Sequence, residues 1–160
     1  MIKILILGAA GKMGKRLVVC SSNYPDIKIV GGIEQPGNPS IGKDIGEVAG
    51  TGSLSAKISD SLDAIIAGAD VCIDFSHHTS TVGALPVIIK HKKALVICTT
   101  GFDESEKAKI NEASKSIPIL FSPNMSVGVN LLFDLDAGIH RFKLPAEPGN
   151  SGQDAQIIQH

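Results

Sequence analysis

Short apolar runs alternate with stretches of helical periodicity along this chain. Ile2-Lys3-Ile4-Leu5-Ile6-Leu7 lacks a regular polar alternation and ends at Gly8, which predicts a strand covered on both faces. Over residues 12–22 the apolar positions recur at helical spacing, which puts Met13, Leu17 and Cys20 on one face. Residues 28–33 form a second β-branched run that closes at Glu34. Residues 35–53 carry Pro36, Gly37, Pro39, Gly42, Gly46, Gly50 and Gly52, which predicts a loop with at most one short turn of helix. Ser59-Asp60-Ser61 is a candidate cap for a helix reaching Ala67.

The alternation continues. Residues 71–75 read as a strand and residues 79–92 as a helix, with Pro86 either kinking it or lying near its start. Residues 94–98 are a strand turned by Thr99-Thr100-Gly101. Asp103 with Glu106 three residues on forms a capping box for a helix to Ser116. Residues 117–121 are the next strand, and Ser126 opens a last helical stretch. Strands and helices at this spacing predict an α/β fold, a doubly wound parallel sheet with right-handed crossovers, over residues 1–133. Pro145, Pro148, Gly149, Asn150, Ser151 and Gly152 crowd the C-terminal segment, so residues 134–160 read as an irregular tail.

Composition narrows the class. The 160 residues carry 15 basic and 16 acidic side chains, a net charge of −1, which leaves no footprint for nucleic acid or an anionic membrane surface. Aromatic residues make up 4% and Trp is absent, so the core is aliphatic. The chain starts directly in a strand-like run, which predicts no leader peptide and no membrane span. Cys20, Cys72 and Cys98 lie in apolar surroundings without metal-type spacing. They read as small buried hydrophobes of a reducing, cytoplasmic compartment.

The candidate chemistry gathers at strand ends. Gly8-Ala9-Ala10-Gly11-Lys12-Met13-Gly14 lies between the first strand and the first helix. Glycines there permit a sharp turn and a close approach of backbone to a pyrophosphate, and the helix N-terminus offers free N–H groups and a positive dipole end. The spacing G-x-x-G-x-x-G is a variant of the dinucleotide fingerprint of Rossmann-like domains. Glu34 closes the second strand, where a carboxylate accepts from the adenosine ribose hydroxyls and repels a 2′-phosphate. Gln35 follows it, so the reading leans to NADH over NADPH, with Lys12, Lys15 and Arg16 as further phosphate contacts. Asp74-Phe75-Ser76 and Cys98-Thr99-Thr100-Gly101-Phe102 both end strands on the ligand-binding edge of such a sheet. Asp74 is equally a candidate cap for the next helix. Phe75 and Phe102 either cover a nicotinamide ring or close the core. Ser122-Pro123-Asn124-Met125-Ser126 supplies further backbone and amide groups, or simply leads into a helix. His77-His78 point different ways and have no spaced partner, so no metal site is expected.

In order, the Gly8–Gly14 turn, Asp74-Phe75-Ser76, Thr99-Thr100-Gly101-Phe102 and Asn124-x-Ser126-Val127-Gly128-Val129-Asn130 resemble the 4-hydroxy-tetrahydrodipicolinate (dihydrodipicolinate) reductase family over residues 1–133. The resemblance implies NAD(P)H-dependent reduction of a cyclic unsaturated dicarboxylate in lysine and diaminopimelate biosynthesis. It implies that Gly8, Ala9, Ala10, Gly11, Lys12 and Met13 hold the pyrophosphate and Glu34 the ribose. Cys98, Thr99 and Thr100, with Ser122, Pro123, Asn124 and Met125, would flank the nicotinamide; the family more often has Gly where Cys98 stands. The family continues into a second α/β domain that binds substrate and builds a homotetramer. That domain carries a His-His-x-x-Lys-like motif, which Ile139-His140-Arg141-Phe142-Lys143 resembles with its first His replaced. His140 and Lys143 would then be the substrate-contacting and proton-donating residues. Only nine residues separate Asn130 from His140, however, and Asp-x-Pro-Ser-Gly-Thr is absent, so 134–160 reads as a remnant of that domain. Two function classes emerge: the reductase itself, or a Rossmann module that binds nucleotide without turnover. A third, a relative of homoserine or aspartate-semialdehyde dehydrogenase, is disfavoured by the string ending at Asn130.

Overall fold

The apolar run Ile2–Leu7 becomes β1, the strand on which the rest of the molecule is built. A computed structural model describes residues 1–121 and the strand 156–158. Around β1 stand α1 (Lys12–Ser21), β2 (Ile27–Ile33), α2 (Ile45–Ala49) and β3 (Ile58–Ser59). Next come α3 (Leu62–Ile65), which tightens into a 3-10 turn at Ile66–Gly68, and β4 (Val71–Asp74). The chain then runs through α4 (His78–Lys90), β5 (Ala94–Ile97), α5 (Glu104–Ser114) and β6 (Ile119–Phe121). The strand order begins β3-β2-β1-β4-β5-β6. The first six strands are parallel, the doubly wound arrangement that the βαβ spacing predicts. β7 (Gln156–Ile158) adds an antiparallel edge against β6. The irregular tail expected from the sequence includes no such strand, because two apolar residues carry too little pattern and edge pairing rests on backbone hydrogen bonds.

Each central strand buries alternate side chains in two separate cores. Leu5 and Leu7 join Ile66, Leu85, Ile88, Leu95, Ile97 and Ile110 beneath α3, α4 and α5. Ile4 and Ile6 join Leu17, Val18, Ile29, Ile45, Ile58 and Ile73 beneath α1 and α2. Burial on both faces removes the polar alternation that a one-sided sheet would show.

Three local expectations change. In α1 the inward face is Gly14, Leu17 and Val18, while Met13 is exposed and Cys20 half-buried. The helix is rotated because Gly14 must face the preceding turn. At α3, Ser61 makes no side-chain cap; the Ser59 hydroxyl accepts from the Ser61 N–H at 3.0 Å instead, which turns the chain one step earlier. In α4, Pro86 lies well inside the helix, not at its start, so packing of Leu85 and Ile88 outweighs its missing N–H. The Asp103–Glu106 capping box forms in both directions, with N–H to carboxylate distances of 2.8 and 3.0 Å. The helical stretch opened by Ser126 lies outside the described residues.

Candidate nucleotide-binding site

β1 and β4 are neighbours in the sheet, but their connections run to opposite sides, so a crevice opens beyond their carboxyl ends. The Gly8 turn stands there. Gly8 has φ +77°, and a Cβ on it would lie 2.8 Å from the Phe75 carbonyl oxygen. Only glycine lets the turn lie this close to the segment after β4. Gly14, one turn into α1, faces the Gly8 and Ala9 carbonyls so closely that any side chain would strike them. Gly11 is the N-cap of α1: its N–H donates to the Gly8 carbonyl at 3.1 Å and its carbonyl accepts from Lys15 at 3.0 Å. Ala9 is buried and its N–H, like that of Gly8, donates to the Ile33 carbonyl. The turn is thereby clamped to the end of β2.

Glu34 completes the clamp. One carboxylate oxygen accepts from the Ala10 N–H at 2.7 Å and the other from the Asn38 side-chain amide at 3.1 Å. Asn38 is itself held by the Ser40 N–H, which donates to its Oδ1 at 2.9 Å. Asn38 carries no signal in the sequence, since nothing in a Pro/Gly loop says which residue folds back. A carboxylate has about four acceptor positions, so Glu34 keeps capacity for ribose hydroxyls after these two bonds. The opening turn of α1 contains no acidic residue, and Lys12, Lys15 and Arg16 are exposed on it. The glycine- and alanine-lined cradle, the N–H groups that a helix start turns outward and three exposed cations fit a dinucleotide pyrophosphate.

The next wall is built from the ends of β4 and β5. Asp74 is fully buried. Its Oδ1 accepts from the Ser76 N–H at 2.8 Å, the Ser76 hydroxyl at 2.6 Å and the Thr99 hydroxyl at 3.3 Å. It therefore organises its own loop and the neighbouring one, and does not cap α4, whose N-cap is His77. Thr99 is buried and Thr100 exposed. Cys98 contributes backbone, not thiol: its N–H donates to the Asp74 carbonyl at 2.9 Å while its side chain packs with Ile73 and Val96. Burial, then the Asp74 charge, pushes the Cys98 thiol up, and the same causes raise Cys72 to about 12. All three cysteines are free, and neither buried thiol is ionised near neutrality. Phe102 belongs to the core, edge-on to Phe121 at 5.4 Å, whereas Phe75 is half-buried against the opposite core.

His78 is tied to Glu106 at 2.8 Å, joining the starts of α4 and α5 across 28 residues. That hydrogen bond is the first cause holding the Glu106 carboxyl below its ordinary value. His77 instead contacts the Thr79 hydroxyl at 3.0 Å. Among the described residues no group of three or more His, Cys, Asp and Glu side chains is gathered to hold a metal ion. No helix among them is long and apolar enough to cross a membrane. Ser122, Pro123, Asn124, Met125, His140 and Lys143 lie outside the described residues.

Known proteins resemble this chain in sequence or in fold. The 4-hydroxy-tetrahydrodipicolinate reductase of Anaeromyxobacter dehalogenans is 39% identical over 159 residues, 99% of this chain and 57% of that protein. The reductase of the same name from Trichlorobacter lovleyi is 46% identical over 135 residues, 84% of this chain and 50% of its own length. The chain thus spans about half the length of the curated relatives it matches. Among solved structures, the dipicolinate-bound dihydrodipicolinate reductase of Paenisporosarcina sp. TG-14 superposes with a TM-score of 0.64 at 19% identity, covering 84% of this chain and 52% of that one. The WlbA dehydrogenase of Thermus thermophilus, in complex with NAD and alpha-ketoglutarate, gives 0.60 at 12% identity, covering 86% of this chain and 48% of that one; at such identities the likeness is of fold. Residues 2–125 match the model for the N-terminus of dihydrodipicolinate reductase, and the chain belongs to that family.

Proposed function

We propose that this chain binds a reduced nicotinamide dinucleotide, NADH in preference to NADPH, and forms the nucleotide-binding part of a 4-hydroxy-tetrahydrodipicolinate reductase. The observation that carries the reading is the Glu34 carboxylate, locked on the Ala10 N–H beside a glycine-flanked turn at a helix start. In this reading Gly8, Ala9, Ala10, Gly11, Lys12 and Met13 surround the pyrophosphate and Glu34 takes the adenosine ribose. Glu34 also disfavours a 2′-phosphate, with only the exposed Gln35 following it. Cys98 backbone, Thr99 and Thr100 border the nicotinamide, together with Ser122, Pro123, Asn124 and Met125.

When bound, the nicotinamide supplies a hydride to a ring carbon of the dicarboxylate. The substrate hydroxyl leaves as water, so the protein's task is to deliver a proton and to hold two carboxylates. By family resemblance His140 contacts the substrate and Lys143 gives the proton, which requires a fixed position about 3 Å from its target. The free thiols of Cys20, Cys72 and Cys98 favour a reducing cytoplasm. The deciding experiment is calorimetric titration with NADH and NADPH, followed by a turnover assay in the same preparation. Binding with turnover supports the full proposal, including Lys143. Binding without turnover leaves a nucleotide-binding module. Failure to bind either nucleotide overturns the roles given to Gly8, Gly11 and Glu34.

A further inference from the structure

Asp74 is a fully buried carboxylate whose second oxygen, Oδ2, has no hydrogen-bond partner among the described residues. A buried polar oxygen is costly unless it is hydrogen-bonded, and no Lys, Arg or His side chain is hydrogen-bonded to Asp74 among those residues. Its load falls on Oδ1, which receives one backbone N–H and two hydroxyl groups. The hydroxyls come from separate loops, Ser76 after β4 and Thr99 after β5. A hydroxyl has one proton and two acceptor positions. Ser76 directs its proton to Asp74 at 2.6 Å, a short hydrogen bond. The Thr99 hydroxyl lies farther off, 3.3 Å from the Asp74 carboxylate and 3.4 Å from the Asp74 carbonyl, both longer than an ordinary O–H···O bond. Thr99 is buried, whereas Ser76 is half-buried at the sheet edge; with its proton engaged, the Ser76 hydroxyl can only accept from a ligand.

We propose that Asp74 is a positioning residue that turns the Ser76 hydroxyl into a hydrogen-bond acceptor selecting an amide N–H2 donor, the carboxamide of the nicotinamide. This rests on the nucleotide-binding reading above. It adds a cause for preference at the nicotinamide end that the Gly8 turn and Glu34 do not supply. The segment bearing Ser76 abuts the Gly8 turn, with the Phe75 N–H donating to the Leu7 carbonyl at 3.0 Å. Ser76 therefore stands on the same sheet edge as the pyrophosphate cradle.

The test uses the full chain and three ligands: ADP-ribose, NAD, and the NAD analogue in which an acetyl group replaces the carboxamide. The analogue keeps the carbonyl acceptor and removes the N–H2 donor. The unsubstituted chain is expected to bind NAD about five- to tenfold more tightly than the analogue, the effect of one good hydrogen bond. Ser76→Ala, which keeps the buried carboxylate, and Asp74→Leu, which removes the acceptor at similar volume, are expected to erase most of that preference. Both should leave the ADP-ribose dissociation constant within about twofold, because that ligand reaches only the cradle and Glu34. Equal weakening of ADP-ribose and NAD would make Asp74 a merely structural residue and overturn the proposal. So would an unchanged preference in Ser76→Ala. If the unsubstituted chain bound no ADP-ribose, the nucleotide-binding reading itself would fall, a result distinct from either.

Discussion

At the scale of the residue, the site depends on atoms that are missing. Gly8→Ala would pay both for a left-handed backbone, about 1–2 kcal/mol, and for contact with the Phe75 carbonyl. Gly14→Ala would drive a methyl into the Gly8 and Ala9 carbonyls and push α1 away from the turn. Gly14→Ala is expected to lower stability by about 1–3 kcal/mol, read by denaturant unfolding, and to weaken NADH binding at least tenfold. The glycine spacing and Glu34 were legible in the sequence because each has a local cause, a turn or a strand end. Asn38 was not, because its bond to Glu34 depends on how residues 35–40 fold back. Met13 was misplaced for a related reason: helical periodicity alone cannot say that Gly14, with no side chain to bury, must be the inward residue. Glu34→Gln keeps the shape of the clamp but removes the charge. Its ratio of NADPH to NADH affinity should rise about tenfold, measured by calorimetry at fixed ionic strength. An unchanged ratio would show that Glu34 does not stand against the 2′ position.

At the scale of the element, single carboxylates hold irregular chain in place. Asp44 caps α2 by accepting from the Gly46 and Glu47 N–H groups. It also accepts from the Leu54 and Ala56 N–H groups and the Ser53 hydroxyl. The Leu54 N–H is the first cause that holds its carboxyl far below the ordinary 3.8. A carboxyl depressed on folding contributes stability that is complete above its unfolded value and lost as pH falls toward the folded one. The acid limb of a pH–melting curve should therefore be shallower in Asp44→Asn than in the unsubstituted chain below about pH 4. Parallel limbs would mean that Asp44 is not the group responsible. Glu106 acts on two elements at once, closing the capping box of α5 and holding His78 at the start of α4. The capping box was legible because its partners stand three residues apart in a fixed geometry. The His78 contact spans 28 residues and exists only because α4 and α5 pack side by side. Two elements, β3 and β7, are too short to leave a pattern and exist only by pairing to a longer neighbour or an edge.

At the scale of the whole molecule, the order of strands fixes both the position of the site and the division of the core. A parallel sheet whose connections reverse direction between β1 and β4 opens its crevice there, so the alternation of elements was enough to locate the edge before any side chain was considered. The same winding splits the interior. Ile88 on α4 and Ile45 on α2 are both fully buried, yet they belong to cores on opposite faces of the sheet. Truncating either to alanine removes about three methylene equivalents and leaves a cavity, a cost of about 2–5 kcal/mol. Because the sheet lies between them and they share no core cluster, their effects should add to within about 0.5 kcal/mol in the double variant. Domains of this size hold about 5–15 kcal/mol in all, so the double variant would sit near the edge of folding. A saturating nucleotide at about a hundred times its dissociation constant would return about 2.7 kcal/mol by mass action. Urea unfolding of the two single variants and the double, with and without NADH, reads both quantities. Additive losses with equal recovery by NADH in all three would fit two independent cores under one nucleotide edge. A recovery lost only in Ile45→Ala would tie nucleotide binding to the α1–α2 face, on which the Gly8 turn and Glu34 are mounted.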